Sequence, residues 1–143
     1  MSMSEKTLGM IKPDAVAKNA VGEIISMIEK QNIKIKALKM TRLTKKSAEE
    51  FYMVHKGKPF FDQLVEFMTS GPVIPMILEG ENVILNYREL MGATDYTKAK
   101  EGTIRKKFGT AMEKNAVHGS DSLENAHKEI SFFFSTHEEL GIF

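Results

Sequence analysis

The chain has 143 residues, 42% of them apolar and 27% charged, enough for one domain with a single buried core. Twenty basic against nineteen acidic residues leave a net charge of +1, so no global field points to nucleic acid or an anionic membrane. With no cysteine, disulfides, thiolate–zinc sites and cysteine nucleophiles are all excluded. The start, MSMSEKTLGMIKPDA, carries no apolar run of signal-peptide type, and no stretch reaches the length of a membrane span. A cytoplasmic protein, one domain over 1–143, is the expectation.

In chain order, KTLGMIK (6–12) is a short apolar run that Pro13 stops, predicting a buried strand. Val21, Ile24, Ile25 and Ile28 follow the spacing of one helical face. IKIKALKM (33–40) starts by alternating apolar residues with lysine, as a half-exposed strand does. Thr44 can cap a helix that carries Ala48, Phe51, Tyr52 and His55 on one side. A helix over 60–69 stacks Phe61, Leu64, Val65 and Met68 and ends at Ser70-Gly71-Pro72. VIPMIL (73–78) reads as a strand, with Pro75 arguing for an edge position or a bulge. A helix from about Asn82 to Met91 is followed by a long loop, 92–115, with one helical turn near Ile104 and Phe108. A short strand near 116–118 leads into a final helix bearing Leu123, Ala126, Ile130 and Phe133. The order β-α-β-α-α-β-α-β-α contains a split βαβ arrangement, a mostly antiparallel sheet with helices packed on it.

The phosphate-loop motif is absent: Pro59 follows Gly57-Lys58, and Tyr52 stands where the first glycine belongs. A nucleotide would therefore be held by side chains, which directs attention to the cations. Lys12 ends the first strand, Arg88 lies late in its helix and Arg105 lies in the long loop, with Thr94 eleven residues before it. Each alone fits a surface cation; together they suit a polyanion, because guanidinium forks match phosphate oxygens. Tyr52, His55 and Phe60 fit core packing, the usual outcome at helical spacing; an aromatic at a helix start beside Gly57-Lys58-Pro59 also suits an apolar plate under a nucleobase, a weak signal alone.

NAVHGSD (115–121) sets His118 between a small apolar residue and a glycine, ahead of a helix start at Ser120-Asp121-Ser122. A solvated turn residue, a metal ligand and a nucleophile are the three readings. The metal reading is the poorer, since no second histidine or carboxylate stands at a close ligand spacing. A neutral imidazole is a competent nucleophile that needs a partner on its other nitrogen, and Glu129 is the candidate.

The motif resembles the N-x-x-H-G-S-D active-site motif of nucleoside diphosphate kinases. TLGMIKPDAV, FYMVHKGKPFF, SGPV, LMGAT, GTIRKKFG and SDSLENAHKEI follow in the family's order over nearly the whole chain. The resemblance implies a ferredoxin-like α/β sandwich and a ping-pong transfer of the γ-phosphate from a nucleoside triphosphate to a diphosphate through His118. It implies Nδ1 as the nucleophile, Glu129 orienting the ring and Ser120 supporting Glu129. Lys12, Tyr52, His55, Arg88, Thr94 and Arg105 would hold phosphates, while Asn115 and Lys12 reach the sugar hydroxyls. Phe60 would stack on the base, with Leu64 and Met112 closing the slot. Mg²⁺ would arrive between the phosphates, with Asp121 facing it through water. Partners would be nucleoside tri- and diphosphates and further copies of the chain, as tetramers or hexamers built from dimers, with no membrane and no specific nucleic acid. Departures from the family pattern are Pro75, Lys18, Asp95-Tyr96 and Glu101 in place of prolines of the long loop, and an end at Phe143. The loop changes predict a looser loop and bear on assembly, not on the catalytic groups.

Overall fold

A computed structural model describes residues 4–140 of the chain; the end at Phe143 lies outside them. Strand β1 (Ser4–Ile11) runs into helix α1 (Pro13–Ala17) and helix α2 (Val21–Lys30). Strand β2 (Lys34–Leu38), helices α3 (Lys45–Phe51) and α4 (Phe61–Met68) and strand β3 (Ile74–Glu81) follow. Helices α5 (Val83–Met91) and α6 (Ile104–Phe108), strand β4 (Val117–Gly119) and helices α7 (Leu123–Phe133) and α8 (Thr136–Leu140) complete the order. The four strands form one sheet, β2-β3-β1-β4, with every adjacent pair antiparallel. Each βαβ crossover skips a strand, the split arrangement of a ferredoxin-like sandwich.

Alternation along the central strands sends side chains to two cores. Ile11, Ile74, Met76 and Leu78 meet Ile24 and Ile28 of α2 and Val83, Tyr87 and Met91 of α5 on one face. Leu8, Met10 and Ile77 meet Ala48 of α3, Val65 and Met68 of α4, and Ile130 and Phe133 of α7 on the other. Burial on both faces explains why β1 and β3 read as apolar runs without alternation.

Pro75 is on neither an edge strand nor a bulge. It lies in β3, an interior strand, opposite Met10 of β1. Its carbonyl accepts Lys39 N–H at 3.3 Å, but proline has no N–H to return. Continuous pairing with β2 therefore stops at Leu38 and resumes only as the isolated Thr41–Val73 bridge. The irregularity in this ladder lies instead between Ile35 and Ala37.

Three local expectations also change. Helix α3 ends at Phe51, so His55 sits in a 3₁₀ turn, Met53–His55, rather than on the helix. Leu123 opens α7 but is exposed, so the helix buries Ala126, Ile130 and Phe133 alone. Helix α8 has too short an apolar pattern to register in the sequence. In the long loop, Asp95 caps a 3₁₀ turn (Tyr96–Lys98), taking Thr97 N–H at 3.0 Å and Thr97 Oγ1–H at 2.6 Å. Lys18 Nζ donates to Phe108 O at 2.7 Å, fastening the end of α1 to the end of α6. Glu101 is exposed.

Candidate active site

A cleft of about 1050 Å³ opens between the β1 and β4 ends, the α3–α4 connection, α5, the long loop and α7. Thr44 starts α3 with a reciprocal cap: Ser47 N–H donates to Thr44 Oγ1 at 3.1 Å and Thr44 N–H to Ser47 Oγ at 2.9 Å. The end of that helix delivers Phe51 and Tyr52 to the cleft wall, and the turn after it delivers His55. Phe60 stands just before α4, 46% exposed, its ring 5.3 Å from His55. Leu64 and Met112 line the same end of the cleft.

β4 carries His118 between β1 and the approach of α7. Its Nε2–H donates to Glu129 Oε1 at 2.7 Å, and Ser120 Oγ–H donates to the same oxygen at 2.9 Å. A carboxylate can only accept, so this contact assigns the ring proton to Nε2 and leaves the Nδ1 lone pair free. The Phe51 ring meets the imidazole edge-on at 5.4 Å and the Tyr52 ring at 6.4 Å, which restricts tilting of the ring. Ser120 itself is buried behind the ring and does not line the cleft.

Lys12 and Arg105 are not surface cations: they are 7% and 8% exposed. Lys12 Nζ donates to Asn115 Oδ1 at 2.8 Å, and burial, aided by Arg105, lowers its pKa from 10.5 to about 8. Arg105 donates to Gly92 O at 3.1 Å and Val117 O at 3.0 Å, and burial pulls its pKa down as well. Arg88 and Thr94 are exposed at the mouth. Among the described residues none of Lys12, Arg88 and Arg105 pairs with a carboxylate. Tyr52 Oη and Arg105 Nε are buried without a partner, and burial pushes the Tyr52 phenol far up. Cations without a salt-bridge partner, beside unpaired donors, suit an anionic ligand rich in oxygen.

Asn115, 2% exposed, spends Oδ1 on Lys12 and Nδ2–H on Thr94 O at 3.2 Å. Asp121 lies at the cleft wall, held below the usual carboxylate range by Asn125 Nδ2–H at 2.6 Å. Every sequence-derived site residue except Ser120 thus lines one cleft, and Ser120 supports its floor.

Several lining residues carry no sequence signal. Phe51 reads as core, and Gln63, Lys128 and Phe132 read as an exposed helical surface. Tyr87 reads as one more apolar position, yet it is fully buried against paired glycines. A Cβ on Gly9 would lie 3.1 Å from its ring, and one on Gly119 2.8 Å. From there its hydroxyl donates to His118 O at 3.3 Å.

The family model for nucleoside diphosphate kinase matches residues 5–139. A nucleoside diphosphate kinase from Nitratiruptor sp. is 59% identical over 95% of this chain and 99% of that protein. The one from Wolinella succinogenes is also 59% identical, over 94% and 98%. Among solved structures, the Aquifex aeolicus nucleoside diphosphate kinase superposes with a TM-score of 0.92 at 49% identity, covering 95% of this chain and 99% of that one. The Halobacterium salinarum enzyme, solved in complex with CDP, gives 0.91 at 40% identity over 95% and 91%. The chain belongs to the nucleoside diphosphate kinase family. It is an enzyme that moves the γ-phosphate of a nucleoside triphosphate onto a nucleoside diphosphate, and the family mechanism is ping-pong through a phosphohistidine.

Proposed function

We propose that His118 Nδ1 is the nucleophile of the first half-reaction and the leaving group of the second. The observation that carries this is the imidazole held by Glu129 at 2.7 Å with its other nitrogen free, in a cleft where, among the described residues, Lys12, Arg88 and Arg105 form no salt bridge. The Nδ1 lone pair attacks the γ-phosphorus and the bond to the bridging oxygen breaks. The nucleoside diphosphate leaves with that electron pair. A second diphosphate then attacks the phosphohistidine from the same direction, returning the imidazole to its starting state. Glu129, backed by Ser120, steadies the Nε2 proton as charge moves onto the ring.

In this reading Lys12, Tyr52, His55, Arg88, Thr94 and Arg105 hold the phosphates, and Lys12 and Asn115 take the sugar hydroxyls. Phe60 stacks on the base between Leu64 and Met112. Its exposed ring offers a π-face and no group that reads a base edge, which supports broad base tolerance. CDP on the Halobacterium salinarum relative fits a pyrimidine in such a slot.

The donor set fits Mg²⁺ as a companion of the phosphates. Among the described residues no group of three or more His, Asp or Glu side chains could cage a metal alone, while ionised Asp121 faces the cleft and would meet the ion through water. When bound, Mg²⁺ supplies neutralisation of phosphate charge. We also propose one domain over 1–143, a cytoplasmic location, where nucleotides turn over, and a homo-oligomer of dimers. β2, an edge strand with exposed Leu38, supports pairing between copies.

Incubation with γ-labelled ATP and Mg²⁺ should yield an acid-labile phosphoenzyme that GDP discharges. An enzyme that stays unlabelled, or a label that survives His118→Ala, would sink the assignment.

A further inference from the structure

Between Asn115 and His118 the backbone takes an unusual path. Ala116 has φ 75°, in the left-handed region that a Cβ disfavours. Val117 N–H donates back to Asn115 O at 2.9 Å, closing a γ-turn of the strained kind. Asn115 and His118, on either side of this turn, both face the cleft. The turn therefore sets the angle between the Lys12 partner and the imidazole.

The Ala116 peptide unit is gripped from both sides by one short segment. Lys12 N–H donates to Ala116 O at 2.9 Å. Asp14 Oδ2 accepts Ala116 N–H at 3.1 Å across 102 residues of chain. Pro13, with its locked φ, joins these two contacts into a rigid jaw. Asp14 also lies in the first turn of α1, where a carboxylate favours the helix dipole, but a five-residue helix offers little of one. The other oxygen, Oδ1, is buried without a partner, and burial raises the Asp14 pKa despite Ala116, Lys12 and Lys18. A carboxylate kept at such cost is placed for its contact with Ala116.

We infer that Asp14 is a positioning residue for phosphoryl transfer, holding Ala116 in its left-handed turn so that His118 meets the γ-phosphate in line. Asp14 touches no substrate. Its effect falls on the rate of the step and not on nucleotide affinity, because the phosphate clamp lies on other residues. The inference rests on His118 being the nucleophile.

Single-turnover phosphorylation of the enzyme by ATP tests it. Asp14→Ala should lower the rate at saturating ATP by about tenfold and change half-saturation by less than about twofold. Adding Ala116→Gly, which removes the steric penalty of the left-handed turn, should restore most of that loss. Asp14→Asn keeps the shape and an acceptor oxygen, so it should lose less rate while exchange of the Ala116 amide with solvent speeds up. A wild-type rate in Asp14→Ala, a deficit that glycine leaves untouched, or unchanged Ala116 exchange in Asp14→Asn would overturn the inference. The last reading does not require Asp14→Ala to fold. A wild-type enzyme that takes no phosphate would instead overturn the His118 assignment.

Discussion

Lys12 shows how burial tunes a single group at the base of the cleft. Its ammonium has one strong acceptor, Asn115 Oδ1, and a neighbouring guanidinium, so it releases its proton near pH 8 in the free enzyme. An unfolded lysine holds its proton to about 10.5. Between these values the unfolded chain binds more protons than the folded one, so Lys12 makes stability rise with pH. Over the same window the phosphate site loses a positive charge. Relative to Lys12→Met, the thermal midpoint should climb from pH 8 to 10 while wild-type kcat/KM falls. Both quantities falling together would show that alkaline inactivation is simple unfolding.

At the scale of elements, the cleft wall depends on where α3 stops. The Thr44–Ser47 cap fixes its start and Tyr52 closes its end, so the ring that reaches His118 and the turn that bears His55 inherit their positions from the cap. Thr44→Ala should cost about 1 kcal/mol, measured by urea unfolding; an unchanged midpoint would show that packing of Ala48 alone holds the helix. This cap, like the α2 face and the apolar runs of β1 and β3, is legible in the sequence because its cause is local. Pro75 is not, because the same missing N–H is tolerated on an edge or where an interior ladder pauses, and only the path of β2 decides between them. His118 and Glu129 could be named as partners from the motif, but no spacing along the chain shows that α7 brings the carboxylate to Nε2. Asp14 and Tyr87 were invisible for the same reason: one reads as a helix start, the other as core.

For the whole molecule, the sheet has two different margins. β4 lies beside β1 and is occupied with the cleft, whereas β2 ends the sheet, with no strand among the described residues on its outer side and its ladder to β3 cut short at Leu38. An open edge next to exposed Leu38 and Met40 favours association of copies. Light scattering should return an even multiple of 16.1 kDa, the chain mass; a monomer at micromolar concentration would refute the assembly proposal.

The Tyr87 ring seated on Gly9 and Gly119 has a consequence for how this enzyme can change over evolutionary time. The ring shares the space over these glycines with Leu78, whose Cδ1 would lie 2.8 Å from a Cβ on Gly9, and with Met91, whose Cε would lie 2.8 Å from one on Gly119. Alanine at either glycine therefore needs room from two neighbours: a smaller residue at 87 relieves the ring contact at both positions, while the end of Leu78 or Met91 must shift as well. Substitution at these sites is therefore contingent on order: a smaller residue at 87 leaves only the flexible ends of Leu78 and Met91 to move, whereas a path that begins at a glycine also runs into the tyrosine ring, against the strand that carries the nucleophile.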